Sequence, residues 1–321
     1  LDAPTEGGRE ALRRLGVLKE LRDLRGDVRD ADALGRAFAA ARPEVVFHLA
    51  AQPIVRTSYR QPVETFAANV MGTVNILECI RTSDTVRSAL MVTTDKVYEN
   101  KEWPWGYREN EPLLGYDPYS ASKSCAEIAA HSYRQSFFAD GRVRLSTARA
   151  GNVIGGGDFA PDRIIPDCIR AAVRGQVIDI RNPHSTRPYQ HVLEPLSVYL
   201  MLAARQAKDA SLVGAWNVGP DDADCVTTGE LADLFCRTWG AGARWETHAD
   251  GGPHEAHFLK LDCSKIKSEL GWKPRWHIAE AVEKTVEWAK AWEAGVDMRA
   301  LTEAQIEAFF AGDHRAGREI G

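Results

Sequence analysis

The chain has 321 residues, 44% of them hydrophobic and 26% charged, with a formal net charge of −5 at pH 7. That is enough for one large or two modest globular domains, and mild acidity without a long basic run argues against a nucleic-acid or membrane-surface binder. No apolar stretch approaches the roughly 20 residues that span a bilayer, nothing at the start reads as a signal peptide, and Cys79, Cys125, Cys168, Cys225, Cys236 and Cys263 form neither a C-x-x-C pair nor a metal-ligand spacing, so reduced, packed thiols of a cytoplasmic protein are expected.

Strand-like and helix-like segments alternate along the first half, which is the pattern of βαβ units. Val45–Ala50 reads as a short strand, followed by a helical stretch with Phe66, Val70, Val74 and Leu77 at three- and four-residue spacing. Ser88–Thr94 makes a second strand. Pro118 suits the first turn of a helix, on which Cys125, Ile128 and Ala129 are expected to face the core, and Val143–Ala148 makes a third strand. The sheet is therefore expected to be parallel, with right-handed crossovers. The composition changes at Gly155-Gly156-Gly157, which lacks the G-x-x-x-x-G-K-[ST] pattern of a phosphate loop and reads as a hinge or substrate loop. In the smaller lobe that follows, Thr227 and Thr228 cap a helix carrying Leu231, Leu234 and Phe235, while Gly271 and Gly295 end helices. The last long helix carries Ile278, Val282, Val286 and Ala289 on one stripe, and Arg315–Gly321 reads as a frayed end.

The chemistry concentrates where the second strand ends. Thr93-Thr94-Asp95-Lys96 puts hydroxyls, a carboxylate and an ammonium where parallel α/β sheets bind ligands. Tyr119 follows twenty-five residues after Thr94, and Lys123 lies one helical turn beyond it on the same face. A phenol with a pKa of about 10 is too seldom ionised to act as a base at neutral pH, and a neighbouring ammonium lowers that value. A lone Tyr-x-x-x-Lys arises often by chance. In company with Thr94 and Asp95 it reads as a redox site beside an elimination site.

Asp27-Val28, His48-Leu-Ala-Ala-Gln52, Asn69, Thr94-Asp95, Tyr119 with Lys123, Arg149-Ala-Gly-Asn152 and Arg187-Pro-Tyr-Gln-His191 together resemble the extended short-chain dehydrogenases/reductases acting on nucleotide sugars, over essentially the whole chain. Asp95-Lys96 in place of the commoner Asp-Glu, with the strings Trp103–Asn110 and His254–Asp262, resembles within that family the 4,6-dehydratases of CDP-glucose. The resemblance implies tightly held NAD and the product CDP-4-keto-6-deoxyglucose. It makes Tyr119, as phenolate, the acceptor of the C4 hydroxyl proton while hydride leaves for the nicotinamide, with Thr94 bonding the same oxygen. Asp95, if protonated, gives its proton to the departing C6 hydroxyl, and the hydride returns to C6. Lys96 has three readings: base at C5, which requires burial or nearby cations to strip its proton, stabiliser of the C4 enolate, or ion-pair partner of Asp95.

The same resemblance assigns Asp2 to the adenosine ribose and Asp27 with Val28 to the adenine, although Gly26-Asp27 is equally an ordinary turn. Ala50, Ala51 and Gln52 leave little bulk beside a dinucleotide, and Thr93, Tyr119 and Lys123 complete the cofactor set. Asn69 either organises the site through water or satisfies a helix kink; His48 is expected to pack in its strand. Asn152 and Arg187 are implied ligands of the diphosphate, and His254 and His257 lie either on a phosphate or on the surface. No metal site is expected. The T-G-x-x-G-x-x-G turn of these relatives does not occur in this sequence. Leu1–Thr5 then matches the end of the family's second strand, and the natural protein is expected to be longer by one βαβ unit. The expected fold is a doubly wound parallel α/β sheet, Rossmann-like and lacking its first βαβ unit, with a smaller α/β lobe. Residues 1–153, with a segment near 178–218, would hold NAD; 154–177 and 219–321 would hold the nucleotide sugar. A homodimer or homotetramer packed through helices near 62–80 and 119–138 is implied, with a small-molecule substrate and no nucleic-acid or membrane partner. Two other readings stay open: a related epimerase or reductase, which needs Tyr119 and Lys123 but not Asp95 or Lys96, and a non-catalytic NAD-binding protein.

Overall fold

A computed structural model describes residues 6–248 and 257–311, so Asp2 and His254 lie outside the described residues. Helices α1 (Glu6–Leu15) and α2 (Ala31–Ala41) precede β1 (Val45–His48). The chain then passes through α3 (Val55–Arg60), α4 (Pro62–Phe66), a π-helical turn (Ala67–Met71) and α5 (Gly72–Thr82) to β2 (Ser88–Val92). Helix α6 (Pro118–Phe137) opens on Pro118, and the Asp117 carboxylate before it accepts from the Ser120 N–H at 3.0 Å, satisfying a first-turn donor. It leads to β3 (Arg144–Ala150) and β4 (Val153–Ile154). Next come α7 (Ile164–Val173), β5 (Ile178–Ile180), β6 (Thr186–Arg187), β7 (Gln190–His191), α8 (Leu193–Gln206) and β8 (Ala215–Val218). β9 (Val226–Thr227), α9 (Thr228–Trp239), β10 (Trp245–Thr247), α10 (Ser264–Leu270), α11 (Ile278–Glu293) and α12 (Met298–Ala311) complete the described elements.

β1, β2, β3 and β8 form one parallel sheet in that order, in register through Val46 opposite Ala89, Leu90 opposite Ser146 and Ala148 opposite Trp216. One face packs under α5 and α6 through Ile76, Leu77, Ile80, Met91, Ala130 and Leu145. The other packs under α8 through Leu90, Val198, Leu202 and Trp216. Helices on both faces of a parallel sheet make the fold doubly wound and Rossmann-like, as expected. A separate core joins α7, α9 and α11 through Ile165, Leu231, Phe235, Val282 and Val286, with β5 paired to β10 beside it. Thr227 caps α9 reciprocally with Glu230, and Gly271 (φ 65) closes α10.

The sheet's two edges differ. Beyond β8, Asn217 donates to the carbonyls of Tyr107 and Asp262 at 2.7 and 3.0 Å, and its own N–H reaches Glu109 at 2.9 Å. Two distant strings meet here: the Tyr107 N–H bonds the Lys260 carbonyl at 3.0 Å and the Asp262 N–H bonds that of Tyr107 at 2.9 Å. A Cβ on Gly106 would lie 2.5 Å from the Leu261 carbonyl carbon and the Asp262 nitrogen, so only glycine fits. β1, by contrast, has no neighbour but β2 among the described residues, and Val45, Phe47 and Leu49 are 44%, 36% and 53% exposed.

Three expectations need correction. In α6 the buried residues are Tyr119, Ser120, Ser122, Lys123, Ser124, Ala126, Glu127 and Ala130, while Cys125 is exposed, Ile128 is 56% exposed and Ala129 is only half-buried. The apolar stripe faces outward because polar side chains occupy the face against the sheet. Between residues 62 and 82 the helix is broken by the π turn, which slips the face: Ala68, Asn69, Thr73, Ile76 and Leu77 are buried, whereas Phe66 is exposed. Finally, α11 buries the predicted stripe but is followed by a further helix, α12.

Candidate active site

The carboxyl ends of β2 and β3 open into a cleft of about 440 Å³. β2 stops after Val92, and Thr94, in an extended conformation, caps a short 3₁₀ turn over Asp95–Val97 that folds Asp95 inward. Thr94, Asp95, Lys96 and Tyr119 all line the cleft, as do Thr93, Asn152 and Arg187. Seven predicted residues from four separate segments are therefore brought together.

Three of them form a chain. The Tyr119 phenol lies beside Thr94, which eases its pKa down, and the Thr94 hydroxyl donates to Asp95 Oδ1 at 2.9 Å. Asp95 is 2% exposed, and its Oδ2 has no hydrogen-bond partner among the described residues. Burial pushes its carboxyl above the usual carboxylate range, against the opposing pull of Lys96, Thr94 and Arg187. Burial also raises the Tyr119 phenol to about 12; Thr94 and Arg163 ease it down, while Asp95 adds to the rise. The expected lowering by Lys123 is thus not the dominant effect here. Lys123 lies beneath the chain, 5% exposed, with Nζ donating to the Val92 carbonyl at 3.2 Å. Burial draws its ammonium down to about 8, and the Glu127 carboxylate one turn along pulls it back up.

Asn69 fixes the loop beside the cleft, whose lining takes Leu49, Pro53 and Ile54 but none of residues 50–52. Its side chain accepts from the Gln52 N–H at 2.7 Å and donates to the Gln52 carbonyl at 3.1 Å and to Ser122 Oγ at 2.9 Å, clasping the loop of Ala50, Ala51 and Gln52 to α6 from within the π turn. His48 is buried with Nε2 on Thr73 Oγ1 at 3.1 Å, and burial together with Lys123 draws it down to about 4, so it is neutral and packs in its strand. Asp27 takes its Arg29 neighbour's N–H at 2.9 Å and its guanidinium, which holds the carboxyl well below the carboxylate range. Val28 packs against Gly72, and neither residue lines the cleft. His257 is exposed and outside the cleft lining, with its carbonyl accepting from the Thr186 N–H beside Arg187.

Further charges line the outer cleft that the motifs did not single out. Arg163 pairs with Asp158 at 3.6 Å and Arg181 with Asp162 at 3.0 Å, and Arg56 lines the same cleft. The signal was the dense charge in Asp158–Arg163 directly after the glycine run. Among the described residues no group of acidic, histidine and cysteine side chains could hold a metal, and no helix is long and apolar enough to cross a membrane.

A doubly wound sheet with Thr94, Tyr119 and Lys123 at its carboxyl end defines the short-chain dehydrogenase/reductase class. A family model described as GDP-mannose 4,6 dehydratase matches residues 9–285, and the chain belongs to that family. The chain is 47% identical over 321 residues to CDP-glucose 4,6-dehydratase of Salmonella typhimurium, covering 98% of this chain and 89% of that protein. It is 30% identical over 279 residues to dTDP-glucose 4,6-dehydratase of Streptomyces antibioticus, covering 83% and 75%. Among solved structures, UDP-glucose 4-epimerase of Thermus thermophilus in complex with NAD superposes with a TM-score of 0.75 at 24% identity, over 85% of this chain and 86% of that one.

Proposed function

We propose that the protein is an NAD-dependent dehydratase that converts CDP-glucose to CDP-4-keto-6-deoxyglucose. The observation that carries this is Asp95, a buried carboxyl pushed toward its protonated form, hydrogen-bonded to Thr94 beside Tyr119, with one oxygen unpartnered. An epimerase needs the hydroxyl and the phenol but has no use for a carboxylic acid there; an elimination needs a proton donor for the departing hydroxyl.

The residues present fit the nicotinamide end of the cofactor: Thr94 and Tyr119 line the cleft at the end of β2 with Lys123 buried beneath them, and Asn69 holds the small-residue loop of Ala50, Ala51 and Gln52 nearby. NAD supplies a hydride acceptor for C4 and a hydride donor for C6. Tyr119 is held as a phenol by burial and takes the proton of the C4 hydroxyl only once the cations beside it, Lys123 and the ring of bound NAD, have drawn off its own proton; Thr94 bonds the same oxygen. The resulting 4-ketone acidifies the C5 proton. Asp95 gives its proton to the C6 hydroxyl as water leaves. Lys96, half-buried beside Asp95, either takes the C5 proton and returns one to C5 as hydride reaches C6, or stabilises the enolate while solvent supplies that proton. Asn152 and Arg187 hold the diphosphate, the latter as a permanently charged fork. Val63, Phe66, Met71 and Ile128, exposed on the adjoining α4, π turn and α6, support a homodimer through these helices.

The test is incubation with CDP-, UDP-, GDP- and dTDP-glucose, followed by product analysis. Preference for CDP-glucose with a 4-keto-6-deoxy product is expected, and a 4-epimer product sinks the reading. Lys96→Ala in deuterated solvent tests the base role: C4 oxidation should persist while C5 exchange is blocked, and normal C5 exchange removes Lys96 as the base.

A further inference from the structure

One fully buried ion pair lies behind the cleft, and the reaction scheme leaves it unused. Glu127 and Arg149 have side chains 3% and 4% exposed and meet at 2.9 Å. Glu127 Oε1 accepts from the Thr93 hydroxyl at 2.5 Å, and Oε2 accepts from the Thr147 hydroxyl at 2.8 Å as well as from Arg149. Arg149 continues to the Tyr98 hydroxyl at 2.9 Å and the Glu109 carbonyl at 3.0 Å. Burying such a pair is expensive, and well-packed apolar residues of the same volume are often as stable or more so. Stability alone therefore gives little reason for it. Its position gives a better one: Glu127 lies one turn beyond Lys123 and two beyond Tyr119 on α6, and its partners are the residue preceding Thr94 and two residues of β3.

Resting on the catalytic roles proposed above, we propose that Glu127 is a positioning residue for the reaction: its carboxylate, clamped by Thr93, Thr147 and Arg149, fastens α6 to the strand ends and is the counter-charge of Lys123. The groups near Lys123 bear this out in turn. Burial pushes the Glu127 carboxyl up, but Arg149, Thr93 and Thr147 outweigh it and hold it below the carboxylate range, so it is an anion. His48, facing Lys123 from β1, is neutral, and Tyr119 on the same helix is a phenol at neutral pH. Asp95, in the turn after β2 beside Lys96, is pushed toward its protonated form. Arg149 on β3 stands behind Glu127. Glu127 is therefore the anion that keeps Lys123 charged under the phenol.

The experiment is a titration of the Lys123 ammonium by ¹⁵N NMR, assigned with Lys123→Arg, alongside the pH profile of kcat/KM on CDP-glucose. In Glu127→Gln the Lys123 midpoint should fall by about one unit, the alkaline limb of the profile should fall with it, and KM should change less than about twofold. Thr147→Val loosens the clamp but keeps the charge, so kcat should fall about threefold while the Lys123 midpoint stays put. Should Glu127→Gln fold poorly because Arg149 is left unpaired, the double variant Glu127→Gln with Arg149→Met removes both charges and should show the same downward shift. An unmoved Lys123 midpoint in the folded variants, or an equal shift in Thr147→Val, overturns the proposal. A shifted midpoint in a protein that turns over no nucleotide sugar supports the placement and refutes the proposed reaction instead, because the NMR readout needs no substrate.

Discussion

Helices α6 and α11 bury opposite kinds of residue. α11 turns Ile278, Ala281, Val282, Val286, Trp288 and Ala289 inward, the ordinary apolar stripe of a helix on a core. α6 turns Tyr119, Ser122, Lys123, Ser124 and Glu127 inward and leaves Ile128 out. Hydrophobic burial explains the first. The second is held by hydrogen bonds from almost every buried polar atom: Ser122 to the Tyr119 carbonyl and Asn69, Ser124 to the Val97 carbonyl, Lys123 to the Val92 carbonyl, Glu127 to three donors. A helix can thus present a polar face to the interior when each group has a partner, and such a face exists to place chemistry.

This contrast can be broken or sharpened by mutation. Tyr119→Phe should leave the fold unchanged by circular dichroism and thermal melting yet cut kcat about 10³-fold, or about 4 kcal/mol in the barrier. A variant that melts early but still turns over would mean that α6 is built for stability after all. Trp288→Ala on α11 should do the reverse, costing about 3 kcal/mol in urea unfolding with kcat of the folded protein little altered. Ile128→Glu tests the outer face of α6: monomer stability should shift by less than about 0.5 kcal/mol, whereas size-exclusion with light scattering should show dissociation to monomers. Persistence of the oligomer removes that face from the interface.

The smallest effect belongs to the start of α11. The His277 ring, largely in solvent, bonds Asp224 at 2.7 Å, and that bond raises its pKa above the ordinary value. A raised value means the pair stabilises below about pH 6.5, where the unfolded chain's histidine is also protonated, and the gain fades as pH climbs through the folded value. His277→Gln should therefore cost more at pH 5.5 than at pH 8.5, by well under about 1 kcal/mol because solvent screens the pair. An equal cost at both pH values would show that the ring acts only by packing.

How far the sequence could be read follows the same contrast. α11, the α9 cap and the parallel strands were legible because periodicity and capping report apolar burial and backbone need. The face of α6 was misread because periodicity cannot see a buried polar network, whose partners Thr93, Thr147 and Asn69 lie far away in sequence. The slipped face before β2 came from one π turn, which no spacing rule anticipates. Thr94, Asp95, Lys96 and Tyr119 converge because strand ends in a parallel sheet share one rim, a topological regularity. Arg163 and Arg181 escaped notice because no motif marks a charge whose place depends on how the second core folds back.

The seam at Gly106 carries a practical meaning. The backbone there lies against Leu261 and Asp262 with no room for a Cβ, and the Tyr107 N–H and carbonyl bond Lys260 and Asp262. The far edge of the sheet therefore cannot close until synthesis has passed Asp262, and a nascent chain that stops short of it leaves that seam open.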